Sequence, residues 1–332
     1  NGFVKNRLPP QPGEWIDRQR VLTFHFEDQQ YEGLAGDVIT SALLAEGVQL
    51  LGRSFKYHRA RGSYSLAGHD ANVILADTTN TNIHSDTTLL TSGLKLSAVN
   101  TTGGVRSDRL KFISRLSKFL PVGFYYKTFH RPAKLFPFHE RQIRKISGLG
   151  AINPSWSTPN SPKDYAWCDV LVVGGGAAGL EAALAAGQSG ARVLLVEEST
   201  HLGGSLLWQH QEAGLVSQLG QDVALLNKVE IRCSTRVGGH YADNWIALFD
   251  SARLTKVRAK AVVYATGAIE QPAVFGYNDQ PGVMLCSAVL RLISQYAVKP
   301  FERVVILGAN SEAYSAALAM SAVGIEVAAL AD

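Results

Sequence analysis

The chain is short of cysteine, charge and long apolar runs, and each shortage closes off a class of function. Only three cysteines occur in 332 residues, Cys168, Cys233 and Cys286. They are too few and too scattered for a disulfide framework or a structural zinc site, and thiols this sparse suit a reducing compartment. No C-x-x-C occurs, so disulfide-reductase chemistry is unsupported. No His, Cys and carboxylate cluster has metal-ligand spacing, and no general base stands out, so no catalytic residue and no metal site is assigned. Lys and Arg number 32 against 28 Asp and Glu, a formal charge of +4, which is too slight to mark a polyanion-binding protein. Most of the basic excess lies before residue 150, in stretches such as Lys111–Lys118 and Arg141–Lys145, where Phe112 is the single aromatic and no series of aromatics forms base-stacking platforms. That argues against nucleic acid. No apolar run reaches membrane-spanning length and the amino terminus lacks a signal-peptide core. A soluble, cytoplasmic protein with no membrane partner is expected.

What is present is ordinary for a globular protein: 46% hydrophobic residues and a mean hydropathy of +0.02. The length requires two or three domains. Residues 21–26 alternate like a strand, Glu27–Gln30 form a polar turn, and Tyr31–Leu34 continue as a partner strand. Val38–Glu46 carry helical apolar spacing, with Gly47 at the C-cap position. Val73–Leu75 read as a further short strand. The spacing predicts a compact β-grasp unit over residues 1–100. Residues 101–164 read as a helical connector, broken by Pro121, Pro132 and Pro137, and a linker at Asn153–Pro162. Residues 165–332 read as a Rossmann-like dinucleotide-binding domain. The fold class expected is therefore α+β followed by α/β.

The chemistry concentrates after residue 168. Asp169–Val173 is an apolar run suited to a buried parallel strand, and Gly174, Gly176 and Gly179 follow at G-x-G-x-x-G spacing. The first glycine permits a tight turn, the second lets a pyrophosphate approach the backbone, and the third lets the helix pack on the sheet. Ala177 and Ala178 open that helix, whose first amides favour phosphate. A second strand, Arg192–Val196, ends at Glu197, placed to bond a ribose diol and to repel a 2′-phosphate. Its neighbour Glu198 is expected to face solvent. Strand, glycines, helix, strand and acid in this order point to dinucleotide binding; a turn that binds nothing is the bland alternative.

Downstream, Gly203, Gly204 and Ser205 resemble the glycine pair of two-dinucleotide flavoproteins, with His201 beside them as a loop residue. Val229–Val237, Asn244–Phe249 and Lys260–Tyr264 read as strands, with Val237 among the expected cofactor contacts. The turn Ala265-Thr266-Gly267 is expected to close over the dinucleotide, as in that superfamily. A second βαβ unit starts near residue 301 and puts Gly308, Asn310 and Ala313 in the three glycine positions. Asn310 places a Cβ where a pyrophosphate needs none, so this second site is expected to be weak or empty. The sequence stops as that unit's second strand ends, and a fragment is expected.

The motif Gly36–Ala45, with Gly52-Arg-Ser-Phe-Lys-Tyr-His-Arg-Ala-Arg-Gly62, resembles the leader domain of heterotetrameric sarcosine oxidase α subunits. Gly123–Phe129, Ile143-Arg144 and Gly148–Gly150 match that family's connector, and the resemblance spans nearly the whole chain. It implies a subunit of an enzyme oxidising sarcosine to glycine, with NAD bound here but not acting as hydride acceptor. It implies FAD and FMN held by, or shared with, a flavin-bearing β subunit, and small subunits as further partners. The folate-binding carboxy-terminal domain of that family is missing from this sequence. Related leader domains of cyanide-forming and amine-oxidising enzymes carry cysteines for a [2Fe–2S] cluster. The corresponding stretch here, Ser63–Gly68, has none, so no cluster is expected. His69-Asp70-Ala71-Asn72 departs from the family's pattern, and His58 and Arg59 read as packing residues or as holders of an anion. Two alternatives stay open. One is an FAD-dependent, NADH-linked oxidoreductase or amine or opine dehydrogenase subunit with FAD at the first site; the other is a non-catalytic assembly module.

Overall fold

The computed structural model describes residues 6–71, 73–119, 123, 129, 131–147, 161–209 and 213–331. Alternating apolar residues build β1 (Asp17–Phe26) and β2 (Gln29–Ala35), paired antiparallel from Phe26↔Gln29 outward. Helix α1 (Ile39–Ala45) follows, all seven of its residues buried, and Gly47 takes a left-handed φ of +81° just after it. Short strands come next: β3 (Gly52–Arg53), β4 (Ala60–Arg61), β5 (Ile74–Ala76), β6 (Ile83–His84) and β7 (Lys95–Ala98). The main sheet runs β2-β1-β7-β5-β6, with β1 and β7 parallel. That arrangement is the β-grasp expected from the sequence. Phe24, Ile39, Leu43, Leu51, Leu75 and Leu96 form its core.

Within residues 101–164 the described helical elements are 3-10 turns at Lys111–Phe119 and Ala133–Leu135 and α2 (Phe136–Ser147), while residues 101–110 are loop. The expected motifs at Gly123–Phe129 and Gly148–Gly150 and the linker at Asn153–Pro162 lie largely outside the described residues.

The next stretch holds β8 (Lys163–Val173), α3 (Ala177–Gln188), β9 (Val193–Val196), α4 (Ala213–Ala224) and β10 (Val229–Arg232). It continues with β11 (Arg236–Tyr241), β12 (Trp245–Phe249) and β13 (Leu254–Tyr264). Six strands run β10-β9-β8-β13-β12-β11, the first four parallel and the last two antiparallel. Alternation along β8 sends Val172 to the helix-covered face with Leu180, Ala183, Leu219 and Val223, and Leu171 and Val173 to the opposite face. The strand expected over Val229–Val237 is broken in two. Ser234 adopts φ +50°, its amide donates to the Ser199 carbonyl at 2.8 Å, and the Thr235 amide donates to that of Glu197 at 2.9 Å.

The chain ends in α5 (Cys286–Tyr296), β14 (Arg303–Leu307), α6 (Ser311–Ala322) and β15 (Glu326–Ala331), with β14 and β15 parallel. The molecule divides into two compact units, Ser157–Gln271 and the combination of Asn1–Trp156 with Pro272–Asp332. The second βαβ segment groups with the amino-terminal unit. The cause is α5. Ala288, Leu292, Ile293 and Tyr296 are buried, and the Trp15 amide donates to the Gln295 carbonyl at 2.7 Å. Arg7 forks onto Asp37 at 2.8 and 3.2 Å while also donating to the Tyr296 carbonyl at 2.6 Å. Among the described residues no helix is long and apolar enough to cross a membrane.

Candidate functional site

The glycine turn after β8 meets the geometric demands set by its sequence. Gly174 has φ +104°, and a Cβ there would lie 2.3 Å from the Ala265 carbonyl oxygen. A Cβ on Gly179 would lie 1.8 Å from the Gly174 carbonyl oxygen, so the third glycine lets α3 seat against the turn. Gly176 differs from both. Its Cβ would meet nothing nearer than the Gly204 Cα at 3.8 Å. It caps α3 in an extended conformation and has no side chain to occupy the first-turn amides, so Ala177, Ala178 and Gly179 present N–H groups at a helix start. The turn thus keeps a bare backbone cradle where an anion fits.

Glu197 closes the turn from the other side. Its Oε2 accepts from the Gly175 amide at 2.7 Å and its Oε1 from the Ser199 amide at 2.8 Å. Each carboxylate oxygen has two lone pairs, so acceptor capacity remains for a sugar hydroxyl. Glu198 points to solvent and pairs with Arg236 at 3.3 Å, both largely exposed. Gly203 and Gly204 adopt φ +125° and +54°; the Gly203 amide donates to the Gly175 carbonyl at 2.8 Å, and Gly176 and Gly203 form an isolated parallel bridge. Ser205 follows, exposed, in the 3-10 turn Gly204–Leu207. Ala265 continues β13 beside β8, its amide donating to the Val173 carbonyl at 2.8 Å. Thr266 and Gly267 are exposed just beyond it, and Gly267 has φ +73° with open space on its Cβ side. The structure therefore gathers Gly174–Gly179, Glu197, Gly203, Gly204 and Ala265 at the ends of β8, β9 and β13, the carboxyl edge where open α/β sheets take ligands.

Val237 is placed differently. It lies on β11 opposite Leu248, with its side chain packed on the core of that face. It can reach a ligand only through backbone, two residues beyond Thr235. His201 is an exposed loop residue with Nδ1 2.8 Å from Thr200 Oγ1. Sequence reasoning missed Ser199, whose amide shares Glu197 with the glycine turn. Nothing in a lone serine two residues past a strand end signals that bond. Cys168 sits buried in β8, and burial pushes its thiol up to about 11, so it is inert as a nucleophile.

The second turn is built for packing. A Cβ on Gly308 would lie 2.3 Å from the Ala313 methyl. The Asn310 side chain caps α6 by accepting from the Ala313 amide at 3.4 Å. The amide that a phosphate would use is thus already met by a side-chain oxygen.

In the β-grasp, the loop Ser63–Gly68 is organised by carboxylates. Asp70 Oδ2 accepts from Ser63 Oγ and the Tyr64 amide, each at 2.9 Å. Its Oδ1 accepts from the Ser65 amide and Oγ at 2.7 and 2.8 Å. Asp86 Oδ2 accepts from the Gly68 amide at 2.6 Å. No cysteine lies between residues 19 and 101, and no group of three or more His, Cys, Asp or Glu able to hold a metal occurs among the described residues. An iron–sulfur cluster needs thiolate ligands, so these residues do not fit one.

Residues 19–101 match the 2Fe-2S iron-sulfur cluster binding domain family, and residues 169–213 match the FAD dependent oxidoreductase family. Sarcosine oxidase subunit alpha of Rhizobium meliloti (strain 1021) is 34% identical, covering 96% of this chain and 35% of that subunit. The subunit alpha from Corynebacterium sp. (strain P-1) is 28% identical over 97% of this chain and 32% of its own length. The chain thus spans about a third of the curated relatives it matches. Among solved structures, L-proline dehydrogenase from P. horikoshii superimposes with a TM-score of 0.68 at 21% identity, over 97% of this chain and 56% of that one, which establishes the shared fold. Over nearly its whole length the chain is similar to sarcosine oxidase alpha subunits, of which it spans about a third, and its fold sets a ferredoxin-like leader ahead of a Rossmann-type unit of the FAD-dependent oxidoreductase kind.

Proposed function

We propose that this chain is the dinucleotide-holding part of a multisubunit oxidoreductase acting on the CH–NH bond of a small N-methylated amino acid, sarcosine first among them. NAD occupies the turn Gly174–Gly179, with its pyrophosphate on the amides of Ala177 and Ala178 and its adenosine ribose on Glu197. Gly203, Gly204, Ser205 and the turn Ala265–Gly267 flank it, and Val237 offers backbone. FAD and FMN belong to the flavin-bearing β subunit or its boundary with this chain, and small subunits complete a heterotetramer. Acceptance of two electrons from the C–N bond is the chemistry a bound flavin supplies; this chain's residues bind and orient. The observation that carries the reading is the space at Gly176, flanked by a carboxylate that also fixes the turn. A free 2′-phosphate would meet the Glu197 charge, which favours NAD over NADP.

A second reading puts FAD at the same turn, and the match of residues 169–213 to FAD-dependent oxidoreductases favours it. Both dinucleotides offer the same ADP half to the motif. Denaturing the purified chain and chromatographing the released nucleotide separates them: NAD supports the first reading, FAD the second, and neither would overturn both.

A further inference from the structure

The positive charge of this chain is gathered in one stretch. Eleven Lys and Arg against two Asp and Glu fall within residues 106–145, so the remainder of the chain is net acidic. One of those two acids, Asp108, is buried on His58 and Arg53 and leaves the surface surplus untouched. The 3-10 helix Lys111–Phe119 lies inside the stretch, and none of its residues is buried. Side chains three apart eclipse one another in that geometry, so Ile113, Leu116 and Phe119 form one apolar row. Phe119, at its end, is 76% exposed. Arg115 and Lys118 fall together in the adjoining row with Phe112, all three exposed. Neither cation has a carboxylate partner among the described residues. Further along, Leu135 and Phe138 are exposed, as are Lys134 and Arg141. Short helices owe their stability to packing an apolar side rather than to propensity, and 3-10 runs of this length are uncommon. The row Ile113–Leu116–Phe119 therefore lacks the cover that would hold it.

Charge selects the occupant. Two copies meeting through this stretch would set like charges against each other, which is costly. A lipid surface binds in proportion to the apolar area inserted, and this row offers three side chains. Arg with large apolar side chains is the composition of a protein interface core, and the multisubunit reading above supplies a polypeptide. We propose that residues 106–145 form the surface by which this chain docks onto the flavin-bearing β subunit. The partner face is acidic and carries an apolar slot for Leu116 and Phe119. This inference rests on the multisubunit reading and adds to it the place and chemistry of the contact.

The test is sedimentation velocity of the full chain mixed with the flavin-bearing β subunit of the same enzyme, at low and high salt. Arg115→Glu with Lys118→Glu should weaken association at least about tenfold and flatten its salt dependence, because salt at about 0.1 M already screens exposed charges beyond about 10 Å. Leu116→Ser with Phe119→Ser should weaken association at every salt concentration. All four side chains are exposed, so melting temperature and released nucleotide should match those of the parent chain. A parent chain that binds, with both double variants binding equally well, overturns this proposal and leaves the multisubunit reading standing. A parent chain that does not bind the β subunit overturns that reading and this one with it. Self-association through the same residues, or binding of phosphatidylglycerol vesicles in place of the subunit, would overturn the choice of partner.

Discussion

The carboxylate of Glu197 accepts the Gly175 amide at 2.7 Å, so the acid at the end of one strand and the glycine turn at the end of its neighbour form one unit. The residue shapes the turn, and under the proposed function it also holds a sugar. Glu197→Ala should lower nucleotide affinity by about 1–3 kcal/mol, the cost of leaving buried hydrogen-bonding groups unpaired. Glu197→Gln keeps one acceptor oxygen and should lose less. Equilibrium dialysis with the identified dinucleotide measures both.

The glycines of the turn should separate into two classes. Gly176→Val adds a side chain where space is open, so the unit should fold normally and lose its nucleotide. Gly179→Ala puts a methyl 1.8 Å from a backbone oxygen, and should destabilise the unit by about 1–3 kcal/mol or more through overpacking. Thermal unfolding together with nucleotide content distinguishes the classes; a nucleotide-replete Gly176→Val would place the site elsewhere.

Asp70 holds its loop through five donors, the Leu66 amide at 3.5 Å being the longest. Asp70→Ala should cost the amino-terminal unit about 1.5–3 kcal/mol, the scale of a hydrogen bond to a charged group, and Asp70→Asn less. Incubation with iron, sulfide and reductant should yield no cluster absorption in either the parent chain or the variants. Stoichiometric iron with a visible spectrum would contradict the account of this loop.

Asp86 gives a pH signature of known sign. Burial, and then the charge of Asp70, raises its carboxyl above the usual range, and its Oδ1 has no partner. The folded state holds this proton more tightly than the unfolded chain. Its stabilising share is therefore present below the ordinary carboxylate value and falls as pH rises from there through the raised value. Asp86→Asn should flatten that segment of the melting-temperature profile, and an unchanged slope would assign it to other groups.

Much of the site was legible because its signals are local. Gly174, Gly176, Gly179 and Glu197 lie within one βαβ unit, where spacing alone dictates who meets whom. Ala265 was legible only through the superfamily pattern, and it does sit against Gly174. The β-grasp hairpin and α1 were equally local. Three features were not readable. The placement of residues after Pro272 depends on α5 and its long-range bonds to Trp15 and Arg7, which no periodicity encodes. The break at Ser234 rests on a left-handed residue that is not glycine, held by bonds to the β9 end. Asp70 stood out in the sequence only as part of a stretch that departs from the family's pattern, and only the folded loop shows it turned inward.

Asn310 should prove structural. Asn310→Ala removes the cap of α6 and should cost about 1 kcal/mol without altering nucleotide content. A loss of bound nucleotide in that folded variant would mean that the second turn contributes to binding.

The most direct test is the amount and identity of nucleotide released from the purified, folded chain, beside the same measurement on Gly176→Val. The account predicts one dinucleotide per parent chain, NAD under the first reading, and none in the variant. A folded parent chain that releases no dinucleotide, or a variant that retains its full complement, would contradict it.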